Sequence, residues 1–275
     1  MPLASFHVGN VQIGGGPLAV IAGPCVIETK AQCLEIGAAL RDACARLGLG
    51  YVFKASFDKA NRTSIRSYRG PGLAEGLRIL ASVRERLRVP VLTDIHEPAQ
   101  AAPAAECVDM LQIPAFLARQ TDLLLAAAAT GCPVNVKKAQ FAAPGDMRAV
   151  IGKLESAGCE RILLTERGAA FGYHNLVVDF RSLPIMRSLG CPVCYDVTHS
   201  VQSPGGLGNV SGATREYAPH LARAAVAVGV DALFLEAHPD PANALSDAAA
   251  QLPLAEVPAL LETVARLSRT LSERG

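Results

Sequence analysis

The sequence predicts a (β/α)8 TIM barrel formed by a single catalytic domain over residues 1–275. Three observations predict it: eight short apolar runs recur, helix-like stretches separate most of them, and half of the residues are apolar. Barrels of this class often run to about 250 residues as one domain. The segment Phe6–Ile13, before the glycine turn Gly14–Gly16, is expected to cap the barrel floor.

The eight apolar runs are the strand candidates. They are Leu18–Gly23, Tyr51–Ser56, Val91–His96, Met110–Ala115, Val134–Ala139, Ile162–Arg167, Val193–His199 and Ala232–His238. Amphipathic or alanine-rich stretches such as Lys30–Leu47, Gly72–Leu87 and Thr121–Thr130 are the helix candidates. The alternative is a doubly wound sheet, which usually has fewer strands. Its Gly-x-Gly-x-x-Gly helix opening does not follow the first strand candidate.

Charge and hydropathy narrow the class of protein. The net charge of +1 gives no indication of a nucleic-acid or membrane-surface partner. The most apolar stretches, Leu123–Val136 and Ala222–Leu235, are shorter than the roughly 20 residues that span a bilayer, and glycine interrupts each. No lysine or arginine precedes Lys30, so a secretory signal is not expected. We therefore expect a cytosolic protein without a membrane or nucleic-acid partner.

The eight cysteines are scattered through the chain and do not indicate a disulfide framework. Cys191 and Cys194 have redox-pair spacing, but they lead into an apolar strand rather than opening a helix. We interpret both as small buried side chains.

The predicted carboxyl ends of the strands are unusually polar, and in a barrel the chemistry lies at these ends. Five cations lie at or after the predicted strand ends: Lys54, Lys59, Arg62, Lys137 and Arg167. Side chains alternate along a strand, so Lys137 should point into the barrel, opposite Val134 and Val136. A cation facing a barrel interior is costly without an anion. Together the five predict an anionic ligand, although any one of them alone reads as a surface charge or ion pair.

A second candidate set has mixed ligand chemistry. Cys25, His199 and Glu236, with Asp247 as a further candidate, combine sulfur, nitrogen and oxygen donors. Such a set suits Fe, Mn, Co or Zn and selects poorly among them. The long spacings match no local metal motif. The alternatives are a buried cysteine at Cys25, a loop histidine at His199 and an ion-pair partner for a barrel lysine at Glu236.

Long segments, taken in order, resemble the 3-deoxy-D-manno-octulosonate 8-phosphate synthase family. The resemblance runs from Ile21–Cys25 to Gln251–Leu254. Its most specific segments are Phe53–Arg62, Gln112–Asp122, Val134–Lys138, Thr165–Gly168, Phe171–Tyr173 and Glu236–Asp240. It implies a (β/α)8 barrel that condenses phosphoenolpyruvate with D-arabinose 5-phosphate and water, releases inorganic phosphate, and serves lipopolysaccharide biosynthesis.

The resemblance also implies roles for individual residues. Catalytic roles fall on Lys54, Lys137, Arg167, His199 and Asp247. Residues around phosphoenolpyruvate are Lys54, Ser56, Gln112, Lys137 and Arg167. Residues around the sugar phosphate are Lys59, Asn61, Arg62, Thr63 and Asp94. Arg119, with Phe116 beside it, matches an arginine that reaches a neighbouring subunit's sugar phosphate, and the family is usually homotetrameric.

The family has metal-dependent and metal-independent members. The dependent branch has cysteine in its Gly-Pro-Cys segment, where the other branch has asparagine, and this sequence has Cys25. His199, Glu236 and Asp247 fall on the remaining ligand positions, which implies one divalent ion of Fe, Mn, Co or Zn. Ser203–Gly206 and Ser246-Asp247 also resemble this branch. His174 departs from the family pattern, and no role is expected for it.

Two other functions remain open from the sequence. The same chemistry with erythrose 4-phosphate occurs in a related family, where a shorter segment replaces Lys59–Arg62; Asn61 therefore favours the five-carbon sugar. A non-catalytic sugar-phosphate binding barrel predicts the loss of strand-end polar residues, and none is missing. Gly205, Gly206 and Gly208 mark the loop after the seventh strand as a candidate lid.

Overall fold

A parallel sheet closed into a barrel lies at the centre of the computed structural model, which describes residues 4–204 and 212–272. A hairpin of β1 (Phe6–Val8) and β2 (Val11–Ile13) precedes it. The barrel strands are β3 (Ala19–Gly23), β4 (Gly50–Lys54), β5 (Val91–Asp94), β6 (Met110–Ile113), β7 (Val134–Lys137), β8 (Ile162–Glu166), β11 (Val193–Asp196) and β14 (Ala232–His238). Each pairs with its neighbours in this order, and β14 pairs with β3, which closes the barrel. The predicted barrel is confirmed, and each strand lies within its predicted apolar run except β4, which begins one residue earlier, at Gly50.

Helices pack around the outside of the sheet. They are α1 (Lys30–Leu47), α2 (Leu73–Leu87), α3 (Ala101–Cys107), α4 (Thr121–Ala129), α5 (Met147–Ser156), α6 (Ser182–Arg187), α7 (Ala218–Val228) and α8 (Val257–Ser272). The ends of α1 show why it coincides with its predicted bounds. The Thr29 side chain accepts a hydrogen bond from the Gln32 amide, and Gly48 adopts the left-handed conformation (φ 69°) that ends helices.

The barrel strands separate two apolar cores by side-chain alternation. Outward side chains such as Phe53, Leu111 and Leu164 belong to the large core between strands and helices. Inward side chains near the floor, such as Ile21 and Phe234, form a second and smaller core. Two residues further along several strands, the inward position becomes polar. The pairs are Val52 and Lys54, Leu92 and Asp94, Met110 and Gln112, Leu163 and Thr165, Cys194 and Asp196, and Phe234 and Glu236. An apolar floor thus supports a polar mouth.

The amino-terminal hairpin closes the floor. Phe6, Val8, Val11 and Ile13 are buried and belong to the same core as the inward-facing floor residues of the strands. The hairpin therefore removes from water an apolar layer that the open end of the barrel would expose.

Short strands that the sequence did not predict fasten the loops. They are β9 (Ala169–Ala170), β10 (Leu176–Val177), β12 (Gln202–Ser203), β13 (Gly212–Ala213) and β15 (Leu252–Pro253). β9 pairs with β10, β12 with β13, and β15 with the end of β14. Two-residue strands carry too little periodicity to be recognised in a sequence. The candidate lid glycines Gly205, Gly206 and Gly208 lie outside the described residues.

Within the described residues, no helix combines the length and apolar character needed to cross a bilayer.

Two helical glycines provide a matched test of packing. A Cβ on Gly76 in α2 would lie 2.3 Å from the Phe57 Cβ, whereas a Cβ on Gly152 in α5 meets nothing within 4 Å. We expect Gly76→Ala to lower the free energy of unfolding by about 1–3 kcal/mol through overpacking. We expect Gly152→Ala to raise it by about 0.5–1 kcal/mol, because alanine restricts the unfolded chain and favours helix. Urea unfolding measures both. Equal stabilisation by the two substitutions would contradict the close approach of α2 to Phe57.

Candidate active site

A cavity of about 550 Å3 opens at the carboxyl ends of the barrel strands. Thirteen of the residues expected from the sequence line it: Lys54, Lys59, Asn61, Arg62, Thr63, Asp94, Gln112, Phe116, Lys137, Arg167, His199, Glu236 and Asp247. The five cations therefore share one cavity, although three of them, Lys54, Lys59 and Arg62, come from the end of β4 and the loop after it. The closed parallel sheet explains this, since it brings all strand ends to the same mouth.

Three of the expected residues do not line the cavity. Cys25 is fully buried beside it, with its Sγ 2.9 Å from the Ser246 Oγ. Ser56 is also fully buried, and its hydroxyl donates to Asp94. Arg119 is exposed, with its carbonyl accepting from Lys153. Within one chain, Arg119 is therefore outside the cavity.

Lys54 and Glu236 form a buried ion pair. The Lys54 Nζ lies 2.5 Å from Glu236 Oε1 and also donates to the Cys25 carbonyl at 3.0 Å. Burial alone would raise the pKa of Glu236, but the charges of Lys54, His199, Lys59 and Lys137 outweigh it and hold the pKa below its usual value. Glu236 is thus a carboxylate at neutral pH. Glu236 therefore does pair with a barrel lysine, as the alternative interpretation held, through one of its two carboxylate oxygens.

Lys137, Asp196 and His199 form a second buried group. Asp196 accepts from the Lys137 Nζ at 2.5 Å and contacts the His199 Nδ1 at 2.8 Å. Burial would raise the pKa of Asp196, but the charges of His199 and Lys137 lower it well below its usual range. Because Nδ1 faces Asp196, the Nε2 of His199 is directed to the carboxylates of Glu236 and Asp247, at 3.4 and 3.7 Å.

A third carboxylate, Asp94, is held by Ser56 and His96. The Ser56 hydroxyl lies 2.5 Å from Asp94 Oδ1, and His96 Nε2 lies 3.1 Å from Oδ2. Burial opposes ionisation of Asp94, but the hydrogen bond with His96 and the charges of Lys59 and Lys54 outweigh it. They hold the pKa of Asp94 well below its usual range.

Two hydrogen bonds and an ion pair cross the mouth from Arg167 to Arg62. The Arg167 Nη2 donates to Gln202 Oε1 at 2.9 Å, and Gln202 Nε2 donates to Asp247 Oδ2 at 3.0 Å. The other oxygen of Asp247 lies 3.6 Å from the Arg62 guanidinium, which also donates to the Leu245 carbonyl. The Nη1 of Arg167 is buried without a hydrogen-bond partner in the described part of the chain. That donor is available to an anionic ligand in the cavity.

A group that could hold a metal ion lies at one side of the cavity. The ligand atoms of Cys25, Glu236 and Asp247 all lie within 4.8 Å of one another. Asp247 adopts a left-handed backbone conformation (φ 46°), which is unfavourable for a non-glycine residue and is common at functional sites. Hydrogen bonds from the amides of Ala250 and Gln251 to its carbonyl help to hold this turn.

The donor chemistry of this group fits a divalent cation. Glu236 Oε2 is buried and has no hydrogen-bond partner among residues 4–204 and 212–272. The Nε2 of His199 is directed to the same place, which makes it a possible fourth ligand. Burial raises the pKa of the Cys25 thiol, and the charge of Glu236 raises it further, so a bound cation would have to displace that proton.

Some residues that build the site were not selected from the sequence. Gln202 and Gln140 both line the cavity, and Gln140 Oε1 is buried without a partner in the described segments. Gln251 accepts from the Cys25 amide and donates to the Ser246 carbonyl, so it joins two ligand-bearing loops. Asp196 ends β11 and His96 follows β5, but no role was expected for either. Glutamines in loops carry no charge or spacing signal, which explains why they were missed.

Asp94 gives a prediction for acid stability. Its folded pKa lies below the unfolded value of about 4, so the carboxylate stabilises the protein above about pH 4. That contribution is lost as the pH falls further, through the folded pKa. We expect the urea midpoint of Asp94→Asn to fall less steeply than that of the unsubstituted protein between about pH 4 and pH 2.

Asp42→Asn is the matched control, because Asp42 is an exposed carboxylate beside Arg41 and should change the profile little. Parallel profiles for Asp94→Asn and the unsubstituted protein would contradict the prediction.

Comparison with known proteins supports the resemblance found in the sequence. The chain matches the DAHP synthetase I family model over residues 4–273. It is 59% identical over 264 residues to a 2-dehydro-3-deoxyphosphooctonate aldolase from a Cyanothece species, covering 96% of this chain and 97% of the relative. The same name belongs to a Synechococcus relative (60% identical; 98% and 93% covered) and a Geobacter relative (57% identical; 97% and 98% covered). With the barrel and its cationic mouth, these matches show that the chain belongs to the DAHP synthetase I family.

Proposed function

We propose that the chain condenses phosphoenolpyruvate with D-arabinose 5-phosphate and water to give 3-deoxy-D-manno-octulosonate 8-phosphate and inorganic phosphate. The observation that carries this proposal is the cavity in which five cations from the ends of three strands, β4, β7 and β8, converge. The relatives named 2-dehydro-3-deoxyphosphooctonate aldolase, which match this chain over nearly the whole of both sequences, support the product class. Such a product would serve lipopolysaccharide biosynthesis, and we expect the enzyme to act in the cytosol.

The electrostatics of the cavity suit these substrates. Two phosphates and a carboxylate repel one another, so a site that holds both substrates needs several cations within one mouth. Arg167 has an unused buried donor, and Arg62 is only partly buried at the rim, where a phosphate could enter. Guanidinium groups can grip a phosphate with two donors, while lysine supplies a compact charge.

The positions of the residues support two subsites. We assign phosphoenolpyruvate to the deeper one, where the strand residues lie: Lys54, Ser56, Gln112, Lys137 and Arg167. We assign the sugar phosphate to the outer one, formed mostly by the loop after β4: Lys59, Asn61, Arg62 and Thr63, with Asp94 below them. This order would place the enol carbon over the aldehyde, at a near-attack distance of roughly 3–3.5 Å. Lys54, Lys137 and Arg167 could then stabilise the alkoxide that develops on the aldehyde oxygen.

The candidate metal group supports dependence on a divalent ion. Cys25, His199, Glu236 and Asp247 supply sulfur, nitrogen and oxygen donors, which suit Fe, Mn, Co or Zn. An ion held there would supply positive charge for an oxygen of the substrate or for a bound water. The protein's own part is to hold Cys25 beside the carboxylates of Glu236 and Asp247, while Lys54 offsets part of their negative charge.

A homotetramer would give the remaining expected residue, Arg119, a role. Arg119 is exposed and does not line the cavity of its own chain, and Phe116 at the rim is 56% exposed. Both would be explained if Arg119 reaches the sugar-phosphate subsite of a neighbouring subunit in a homotetramer.

A second candidate acceptor is erythrose 4-phosphate, because the matching family model carries the DAHP synthetase description. The enolate chemistry would be unchanged. The acceptor would be one carbon shorter, so the loop after β4 decides between the two sugars. Asn61 lies in that loop and lines the cavity.

A two-sugar assay tests the proposed reaction. With phosphoenolpyruvate and added Mn2+, phosphate release should be faster with arabinose 5-phosphate than with erythrose 4-phosphate, by at least about tenfold in kcat/KM. Asn61→Ala should reduce this preference, whereas Asn10→Ala, an exposed asparagine at the floor hairpin, should leave it unchanged. Preference for erythrose 4-phosphate would establish the second candidate. Binding of sugar without any phosphate release would favour a non-catalytic barrel.

Substitution of Cys25 tests the metal proposal. Chelation should abolish phosphate release, and Mn2+, Co2+ or Fe2+ should restore it. Cys25→Asn should lower the metal content of the purified protein, measured by elemental analysis, and any remaining activity should no longer need metal. Cys33→Ala is the matched control, because Cys33 is an equally buried cysteine in α1. Activity that survives exhaustive chelation would contradict metal dependence.

A further inference from the structure

Two residues without an assigned role each join one candidate metal ligand to one cation of the phosphoenolpyruvate subsite. Asp196 contacts His199 and Lys137, and Gln202 contacts Asp247 and Arg167. We propose that Asp196 and Gln202 are positioning residues that couple metal binding to phosphoenolpyruvate binding. This inference rests on the proposed function, because it uses the two subsites assigned there.

The Asp196 bridge is fully buried. Its Oδ2 accepts from the Lys137 Nζ at 2.5 Å, and its Oδ1 accepts from the His199 amide at 2.9 Å. The ring Nδ1 of His199 lies 2.8 Å from Oδ2 and 3.0 Å from Oδ1. The carboxylate therefore fixes the backbone and the ring of His199 and the ammonium of Lys137 at once. A partner of this kind orients a histidine ligand and sets which nitrogen faces the ion.

The Gln202 bridge has the same arrangement on the other side of the mouth. Its carbonyl oxygen accepts from Arg167, and its amide nitrogen donates to Asp247. Gln202 is 9% exposed, and it opens β12, which pairs with β13. The amide suits this position because it offers an acceptor to a cation and a donor to a carboxylate, at either end of one rigid group.

Each of the two bridges connects a cation of the phosphoenolpyruvate subsite to a candidate metal ligand. A phosphoenolpyruvate that orders Lys137 and Arg167 also orders Asp196 and Gln202, and through them His199 and Asp247. The conformational entropy of these side chains is then lost only once for both ligands. Each ligand should therefore bind more tightly when the other is present. Thermodynamic linkage makes the effect reciprocal, and such couplings typically change affinity by about 5–150-fold.

Metal and phosphoenolpyruvate titrations without any sugar test the coupling. Mn2+ affinity is measured by calorimetry on metal-stripped full-length protein, with and without saturating phosphoenolpyruvate, so that no turnover occurs. In the unsubstituted protein the Mn2+ affinity should rise by at least about fivefold when phosphoenolpyruvate is present. An unchanged affinity would overturn the proposal, whatever the variants show.

Gln202→Met separates a bridge from a merely structural residue, because methionine keeps the length of the side chain and removes both hydrogen bonds. Mn2+ affinity should fall by about 10–100-fold. Phosphoenolpyruvate affinity in metal-free protein should fall as well, and the ratio of Mn2+ affinities with and without phosphoenolpyruvate should move toward one. Affinity for arabinose 5-phosphate should stay within about twofold, because no sugar-subsite residue loses a partner. Retention of the ratio of the unsubstituted protein would overturn the role of Gln202.

Two further proteins complete the experiment. Gln12→Met makes the same chemical change in the floor hairpin, where Gln12 donates to the Gly14 carbonyl, and should leave all three affinities unchanged.

Asp196→Asn keeps the side-chain shape but replaces one acceptor oxygen with a donor, so it should weaken the binding of Mn2+ and of phosphoenolpyruvate together. Loss of only one of these affinities in Asp196→Asn would overturn its role as a bridge. If phosphoenolpyruvate binds with coupling but neither sugar reacts, the proposed reaction fails while the coupling stands.

Discussion

The balance of buried charge at the barrel mouth is the constraint on which the site depends. Lys54 and Lys137 lie almost fully inside the barrel, where an unpaired ammonium would be prohibitively costly. Each is matched by a buried carboxylate, Glu236 for Lys54 and Asp196 for Lys137. Removing one partner would leave an uncompensated buried charge, which costs more than the pair itself contributes. These pairs therefore specify the arrangement of the mouth more than they stabilise the fold.

This balance also explains how one mouth can present both an anion subsite and a candidate cation subsite. Glu236, which neutralises Lys54, lies beside Cys25 and Asp247, while Arg167 retains a buried donor without a partner in the described residues. The candidate metal ligands thus form one group, and the cations assigned to phosphoenolpyruvate form another. Asp196 and Gln202 span the boundary between them. The separation is local, because the chain as a whole carries a net charge of only +1.

The apolar floor supports this polar mouth. Each strand alternates, so on several strands the inward face that carries an apolar residue near the floor, such as Val52 or Phe234, carries a polar group two residues later. The amino-terminal hairpin completes the floor by adding Phe6 and Ile13 to the inner core. Loops above the mouth then need only short pairings, such as β12 with β13, to hold residues like Gln202 in place. Rigid strands provide the charges, and loops provide the residues that connect them.

The sequence by itself determined the barrel, because eight apolar runs separated by amphipathic stretches have few other ways to bury their surface. It also indicated the strand-end cations, since alternation fixes which side of a strand faces inward. Only the tertiary structure decided that Glu236 both pairs with Lys54 and lies beside Cys25 and Asp247, residues far apart in the chain. It also placed Gln202 between Arg167 and Asp247 and left Arg119 outside its own cavity. Periodicity records which residues are buried, whereas hydrogen-bond partners depend on distances that exist only once the barrel has closed.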